Sequence, residues 1–303
     1  MTEDIIDKDV PENETWGHAP PFVPSLCNDE SKSASQFRVE LERLSRSDDP
    51  LLEKGTLGRY QLQHKIGRGG MGTVYAAYDP LHHRFVAIKI LHSALSQDEV
   101  LRRRFQREAR MLAEIDSIHV TRLYEIAEAD GCFFLVQELV EGQSLAERIK
   151  SSGRLSECEA IDVAVDVATA LMKLHEHGIV HRDVKPENIL LCSLGIDPLG
   201  IDDVAARRVL AKLTDLGIAR QDLAAESVAL TSAQSMLGTP LYMSPEHFYG
   251  GAQVNNQSDL YSLGATLFHA LTGQPPFQAS TALALADAHR HSPTPNPQAV
   301  TSC

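Results

Sequence analysis

The stretch His181-Arg182-Asp183-Val184-Lys185-Pro186-Glu187-Asn188, with Asp215-Leu216-Gly217 starting 27 residues beyond Asn188, decides how this chain folds. Upstream stands Gly67-Arg68-Gly69-Gly70-Met71-Gly72, a G-x-G-x-x-G. Alone it is weak, because glycines collect in turns and dinucleotide folds use the same spacing. Here it runs into strand-like Val74-Tyr75-Ala76-Ala77, where a dinucleotide fold would continue into a helix. Val86-Ala87-Ile88-Lys89 then places a lysine 17 residues past Gly72, on the next strand. An ammonium among apolar strand residues needs an anionic partner, since burying it unpaired is costly. Phosphates and a carboxylate would supply one. The carboxylate candidate is Glu108, which shares a helix face with Phe105 and Leu112 while Arg102, Arg103 and Arg104 fan elsewhere.

Composition bounds the rest. The 303 residues are 43% hydrophobic and 23% charged, ordinary globular usage. A net charge of −13 argues against nucleic-acid or anionic-membrane binding through bulk charge. Cys27, Cys132, Cys158, Cys192 and Cys303 are odd in number and scattered, so a disulfide framework or zinc site is not expected and a reducing cytoplasm is. No apolar run reaches the ~18 residues of a spanning helix, and Thr2-Glu3-Asp4 is acidic where a signal peptide is basic. The expectation is a soluble cytoplasmic protein.

Residues 1–58 carry 13 acids, 6 bases and five prolines, which reads as an acidic, disordered tail. A short helix around Phe37, Leu41 and Leu44 is the one periodic feature there. From residue 59 the texture changes. Strand-like runs at Tyr60–Ile66, Gly72–Asp79, Arg84–Leu91, Thr121–Glu128 and Cys132–Leu139, with a helix capped at Ser96 and ending near Ile115, predict a small five-stranded antiparallel lobe over 59–139. A mainly helical lobe is expected over 140–303. Its predicted helices are Gly142–Lys150, one capped by Ser156 and Glu159 and continued by Ile161, Val165, Ala168 and Met172, the apolar Leu260–Thr272 read as buried on all sides, and Thr281–His291.

By its motifs in order, the chain resembles a protein kinase of the Hanks type, most closely the bacterial serine/threonine branch, over roughly residues 59–290. The resemblance rests on the glycine loop, Lys89, Glu108, H-R-D-x-K-x-x-N, D-x-G, Gly238-Thr239-Pro240-Leu241-Tyr242-Met243-Ser244-Pro245-Glu246 and Ser258-Asp259 with Tyr261-Ser262-Leu263-Gly264. It implies an α+β, two-lobed fold and the ATP- and Mg²⁺-dependent transfer of a γ-phosphate to protein Ser/Thr hydroxyls. Gly67, Gly69 and Gly72 would let backbone N–H groups approach the phosphates, and Lys89, held by Glu108, would bind them. Asp183 would take the hydroxyl proton and Lys185 would neutralise the γ-phosphate. Asn188 and Asp215 would hold Mg²⁺. Ile66, Val74, Ala87 and Leu190 would sandwich the adenine, with Gln137 as gatekeeper and Glu138-Leu139-Val140 as the hydrogen-bonding hinge. Asp259 would brace the catalytic loop. Arg182 would receive a phosphate placed on Thr231, Ser232 or Ser235, with self-association in trans-autophosphorylation.

The chain also departs from the family pattern. Leu216 replaces the usual phenylalanine of D-F-G, and Ser244 the alanine of A-P-E. Residues 194–210 read as an insertion between the metal ligands. After Phe277 the family adds further helices, including an arginine that pairs with the glutamate matching Glu246. The large lobe therefore reads as C-terminally truncated, with apolar surface left bare and Glu246 unpaired. The alternative reading is a truncated, catalytically weak nucleotide-binding module acting as a scaffold or decoy.

Overall fold

The computed structural model describes residues 49–69, 72–91, 99–193, 209–215, 240–248 and 254–301; of residues 99–102, 104, 105, 108, 193 and 301 it describes the backbone alone. Residues 1–48, Ser96, 194–208, Leu216 and the loop serines and threonine at 231, 232 and 235 lie outside the described residues.

The small lobe begins earlier than composition implies. Helix α1 (Pro50–Lys54) is capped by Asp49, whose side chain accepts from Leu51 N, with proline at its first position. Strand β1 (Thr56–Leu57) follows and pairs with β2 (Tyr60–Gly69). Leu57 is fully buried, and Leu51 and Leu52 pack on the same core. Residues 49–58 therefore join the folded unit rather than the tail. Strands β3 (Gly72–Asp79) and β4 (Arg84–Leu91) stand where the glycine and proline punctuation puts them. With β5 (Leu123–Ala129) and β6 (Cys132–Glu138) they make a six-stranded antiparallel sheet ordered β1-β2-β3-β4-β6-β5. Helix α2 (Glu99–Ala113) packs against β5.

The large lobe opens with a second sheet. β7 (Gln143–Ser144) pairs with β8 (Ile189–Ser193), which pairs with β9 (Val209–Leu213). Val209 and Leu210 are thus strand rather than insertion, and the hairpin closes from Ser193 to Val209. Helix α3 (Leu145–Ser152) starts at a Ser144/Glu147 capping box, not at Gly142. Helix α4 (Glu157–Glu176) has the expected Ser156/Glu159 box and stops at Gly178, whose φ is 71°. Its buried residues are Ala160, Val163, Asp166, Val167, Ala170, Leu171 and Leu174; Ile161, Val165 and Met172 face outward, 61%, 52% and 56% exposed.

A short helix α5 (Pro245–Phe248) precedes α6 (Asn256–Thr272). Helix α6 is central but not buried all round. Ser258, Asp259, Ser262 and Leu263 are inside, whereas Leu260 is 53% exposed. Helices α7 (Ala282–His291) and α8 (Pro297–Thr301) follow, the latter packed on α6. Glu246 is not left bare. Burial pushes its pKa up, but a short hydrogen bond accepted from Ser258 Oγ helps to hold it below the ordinary glutamate value.

Candidate active site

The backbone at His181 and Arg182 hangs from one carboxylate. Asp259, on the inner face of α6 and 1% exposed, accepts from His181 N at 2.8 Å and Arg182 N at 2.7 Å, and meets His175 Nε2 at 2.8 Å. The contact from His181 N is buried and the other two are part-buried. They hold Arg182 in the left-handed region, φ 66°, which an arginine adopts only when its surroundings impose it. His181 is wholly buried. Its Nε2 lies 3.1 Å from Thr214 O while its Nδ1 accepts from Asp183 N at 3.2 Å. Burial lowers its pKa, so the neutral ring with hydrogen on Nε2 fits both contacts.

Around Asp183 the side chains converge. Lys185 Nζ lies 3.0 Å from its Oδ2, and Asn188 Nδ2 donates to the same oxygen at 3.1 Å and to the Asp183 carbonyl at 2.8 Å. Asn188 stays 4% exposed in a turn of 3₁₀ helix, with Thr214 N donating to its carbonyl at 2.9 Å. That bond leads the chain on to Asp215, whose φ is 58°. Asp215 Oδ1 meets Lys89 Nζ at 2.7 Å, with Lys89 itself 7% exposed. This is the anionic partner that the buried lysine demands. Glu108 lies on α2, its side chain outside the described set.

The sheet register sets the other side. Val74 stands opposite both Gly67 on β2 and Lys89 on β4, so the glycine hairpin is one strand away from the lysine. Gly69 pairs with Gly72 at the hairpin end. A Cβ on Gly72 would lie 2.0 Å from Ile90 O, so that position excludes every other residue. A Cβ on Gly67 or Gly69 would meet open space. Ala87 faces Gln137 across β4 and β6, and Val86 faces Glu138. Ile66 is half exposed on β2, Leu190 lies on β8 opposite both Ser144 and Lys212, and Val140 is half-buried in the segment after β6.

Two hard oxygen donors, Asn188 Oδ1 and the Asp215 carboxylate, fit Mg²⁺, which keeps waters and phosphate oxygens and needs only one or two protein ligands. Among the described residues no group of three or more His, Cys, Asp or Glu is placed to hold a metal without such help.

Fold and site together define a protein kinase domain, and the chain belongs to that family: its model, "Protein kinase domain", matches residues 60–298. Among curated relatives, the serine/threonine-protein kinase PrkC of Bacillus subtilis is 38% identical over 246 residues, covering 81% of this chain and 35% of PrkC. The serine/threonine-protein kinase PknD of Mycobacterium tuberculosis is 38% identical over 79% of this chain and 33% of its own length. The chain thus spans about a third of the curated relatives it matches. Among solved structures, the PknI kinase domain of M. tuberculosis matches with a TM-score of 0.55 at 28% identity, over 78% of this chain and 85% of that one. Rad53 1–466 in complex with AMP-PNP matches at TM-score 0.58 and 25% identity, over 80% of this chain and 57% of that one.

Several site neighbours have no motif to announce them. Lys212 and Arg122 meet Glu138, and Gly142 meets Leu191, from positions far off in sequence. No periodicity signals such pairs.

Proposed function

We propose that this chain catalyses ATP- and Mg²⁺-dependent phosphorylation of serine and threonine hydroxyls in proteins. The observation that carries the reading is the meeting of Asp183, Lys185 and Asn188 on one segment, with Asp215 and Lys89 joined opposite. The Asp183 carboxylate is the acceptor for the hydroxyl proton. The hydroxyl oxygen bonds to the γ-phosphorus as the bond to the β,γ-bridging oxygen breaks, and ADP leaves with the electron pair. Lys185 holds Asp183 in place and offsets charge on the transferred group, while Lys89 positions the nucleotide phosphates. Asn188 and Asp215 would hold Mg²⁺, which would supply charge neutralisation. The likeness to a structure that holds AMP-PNP supports a nucleoside triphosphate as the donor.

Serine/threonine specificity is supported by Lys185 and Gly238-Thr239-Pro240 and by the named relatives. Trans-autophosphorylation at Thr231, Ser232 or Ser235, read by Arg182, is the proposed regulation. The free thiols of Cys132, Cys158 and Cys192 suit a reducing cytoplasm, and no described helix is long and apolar enough to cross a membrane. The test is incubation of the full chain with labelled ATP, Mg²⁺ and a generic protein substrate, followed by phosphoamino-acid analysis. Phosphoserine and phosphothreonine are expected. Their absence, with nucleotide still bound, would leave the scaffold reading instead.

A further inference from the structure

The segment between β6 and β7 is tied at both ends to one hairpin, β8–β9. At its far end Gln143 and Ser144 pair with Leu191 and Leu190, and Gly142, at φ 156°, passes so close that a Cβ would lie 2.1 Å from Leu191 O. At its near end Glu138 is the fixed point. Its N–H donates to Arg122 O at 2.8 Å, and its Oε2 accepts from Arg122 N at 3.2 Å. Its Oε1 accepts from Lys212 Nζ at 2.6 Å. Both side chains are largely covered, Lys212 12% and Glu138 26% exposed. The pair is partly covered, Lys212 more than Glu138, and losing either partner leaves the other without its counter-charge.

Lys212 stands at a junction. It lies on β9 three residues before Asp215, and its backbone faces Leu190 across the β8–β9 ladder. A single side chain therefore links Glu138, the first residue of the hinge, to the strand that leads into Asp215 and that pairs with Leu190. The same strand is locked from the other side, where Leu213 N donates to His119 O at 2.8 Å and Thr121 N to Leu213 O at 2.9 Å. Strand β9 is thus held to the 119–121 segment by its backbone and to the hinge by Lys212.

We propose that Lys212 is a positioning residue for the adenine end of the nucleotide: through Glu138 it fixes the hinge against Leu190 and Asp215, so that base and phosphates are bound at one set separation. The inference rests on the kinase reading above and adds a residue to it. A group that acts only on the base end should alter the binding of adenosine-containing ligands and leave that of bare polyphosphate unchanged.

The experiment is calorimetric titration of the full chain and its variants with Mg²⁺-ATP, ADP and inorganic tripolyphosphate, with melting temperatures measured alongside. Lys212→Met should weaken ATP and ADP about tenfold while tripolyphosphate binding stays within about twofold. Lys212→Arg should bind as the parent. The double variant Lys212→Glu with Glu138→Lys, which rebuilds the pair in reverse, should recover most of the loss. Should Lys212→Met not fold, Glu138→Gln, which keeps the shape, carries the same expectation at about threefold. Equal loss for ATP and tripolyphosphate, or unchanged ATP binding in the variants, overturns the positioning role and leaves the kinase reading standing. A parent chain that binds no ATP overturns both.

Discussion

At the catalytic segment one buried carboxylate, Asp259, carries two consecutive backbone N–H groups and a histidine. At the glycine hairpin the described backbone keeps its register with β3, and Gly72 passes close to Ile90. The first region is anchored by a buried carboxylate, the second shaped by close backbone approach. Held by a buried carboxylate, the backbone at 181 and 182 has little room to shift. At Gly67 and Gly69 the hairpin leaves open space where a Cβ would stand.

The comparison breaks first at the chemistry. Asp183→Ala should reduce turnover by ~10²–10⁴-fold with ATP binding retained, measured by steady-state rates and calorimetry. Asp215→Asn should remove the Mg²⁺ dependence of turnover, seen as a flat response when the metal is titrated or chelated; full Mg²⁺-supported activity would remove Asp215 from the ligand set. Asp259→Ala removes the acceptor of His181 N and Arg182 N and the partner of His175 Nε2, at about 1 kcal/mol or more each, so the melting temperature should fall by roughly 6–12 °C in a domain of this size. A shift under about 2 °C would show that the catalytic segment has another anchor.

The hairpin should respond on a smaller scale and unevenly. Gly72→Ala drives a methyl into Ile90 O and should destabilise the small lobe by about 1–3 kcal/mol, read from denaturant midpoints. Gly69→Ala meets open space and should change stability by less than about 1 kcal/mol, with any effect appearing in ATP affinity alone. Equal effects on stability at the two glycines would erase the distinction between the two regions.

What can be read from the sequence follows from where the signals lie. Gly72–Asp79 and Arg84–Leu91 are legible residue for residue, because glycine and Asp79-Pro80 punctuate runs of valine, isoleucine and tyrosine. The Ser156/Glu159 box is legible; the equivalent Ser144/Glu147 box is present but lies inside a helix expected from Gly142. Asp49-Pro50 is a good helix start hidden in a window whose average is acidic and proline-rich. On α4, period alone cannot say which of two apolar stripes is inside, and the one at Ile161, Val165 and Met172 faces out. Asp183, Lys185 and Asn188 are neighbours in sequence, so one motif carries all three. The Glu138–Lys212 pair spans 74 positions, and only the fold brings it within 2.6 Å.

Asp49 has a practical consequence for anyone preparing the domain. Its side chain accepts from Tyr75 Oη at 2.8 Å, caps α1 and lies 3.6 Å from Lys65 Nζ, while Leu51 and Leu52 cover the core behind it. A protease site or affinity tag set just before Asp49 spares this buckle. A shortened chain begun at Arg59 instead uncovers Leu62 and Tyr75, removes β1 from the sheet edge, and should emerge as material prone to edge-to-edge association.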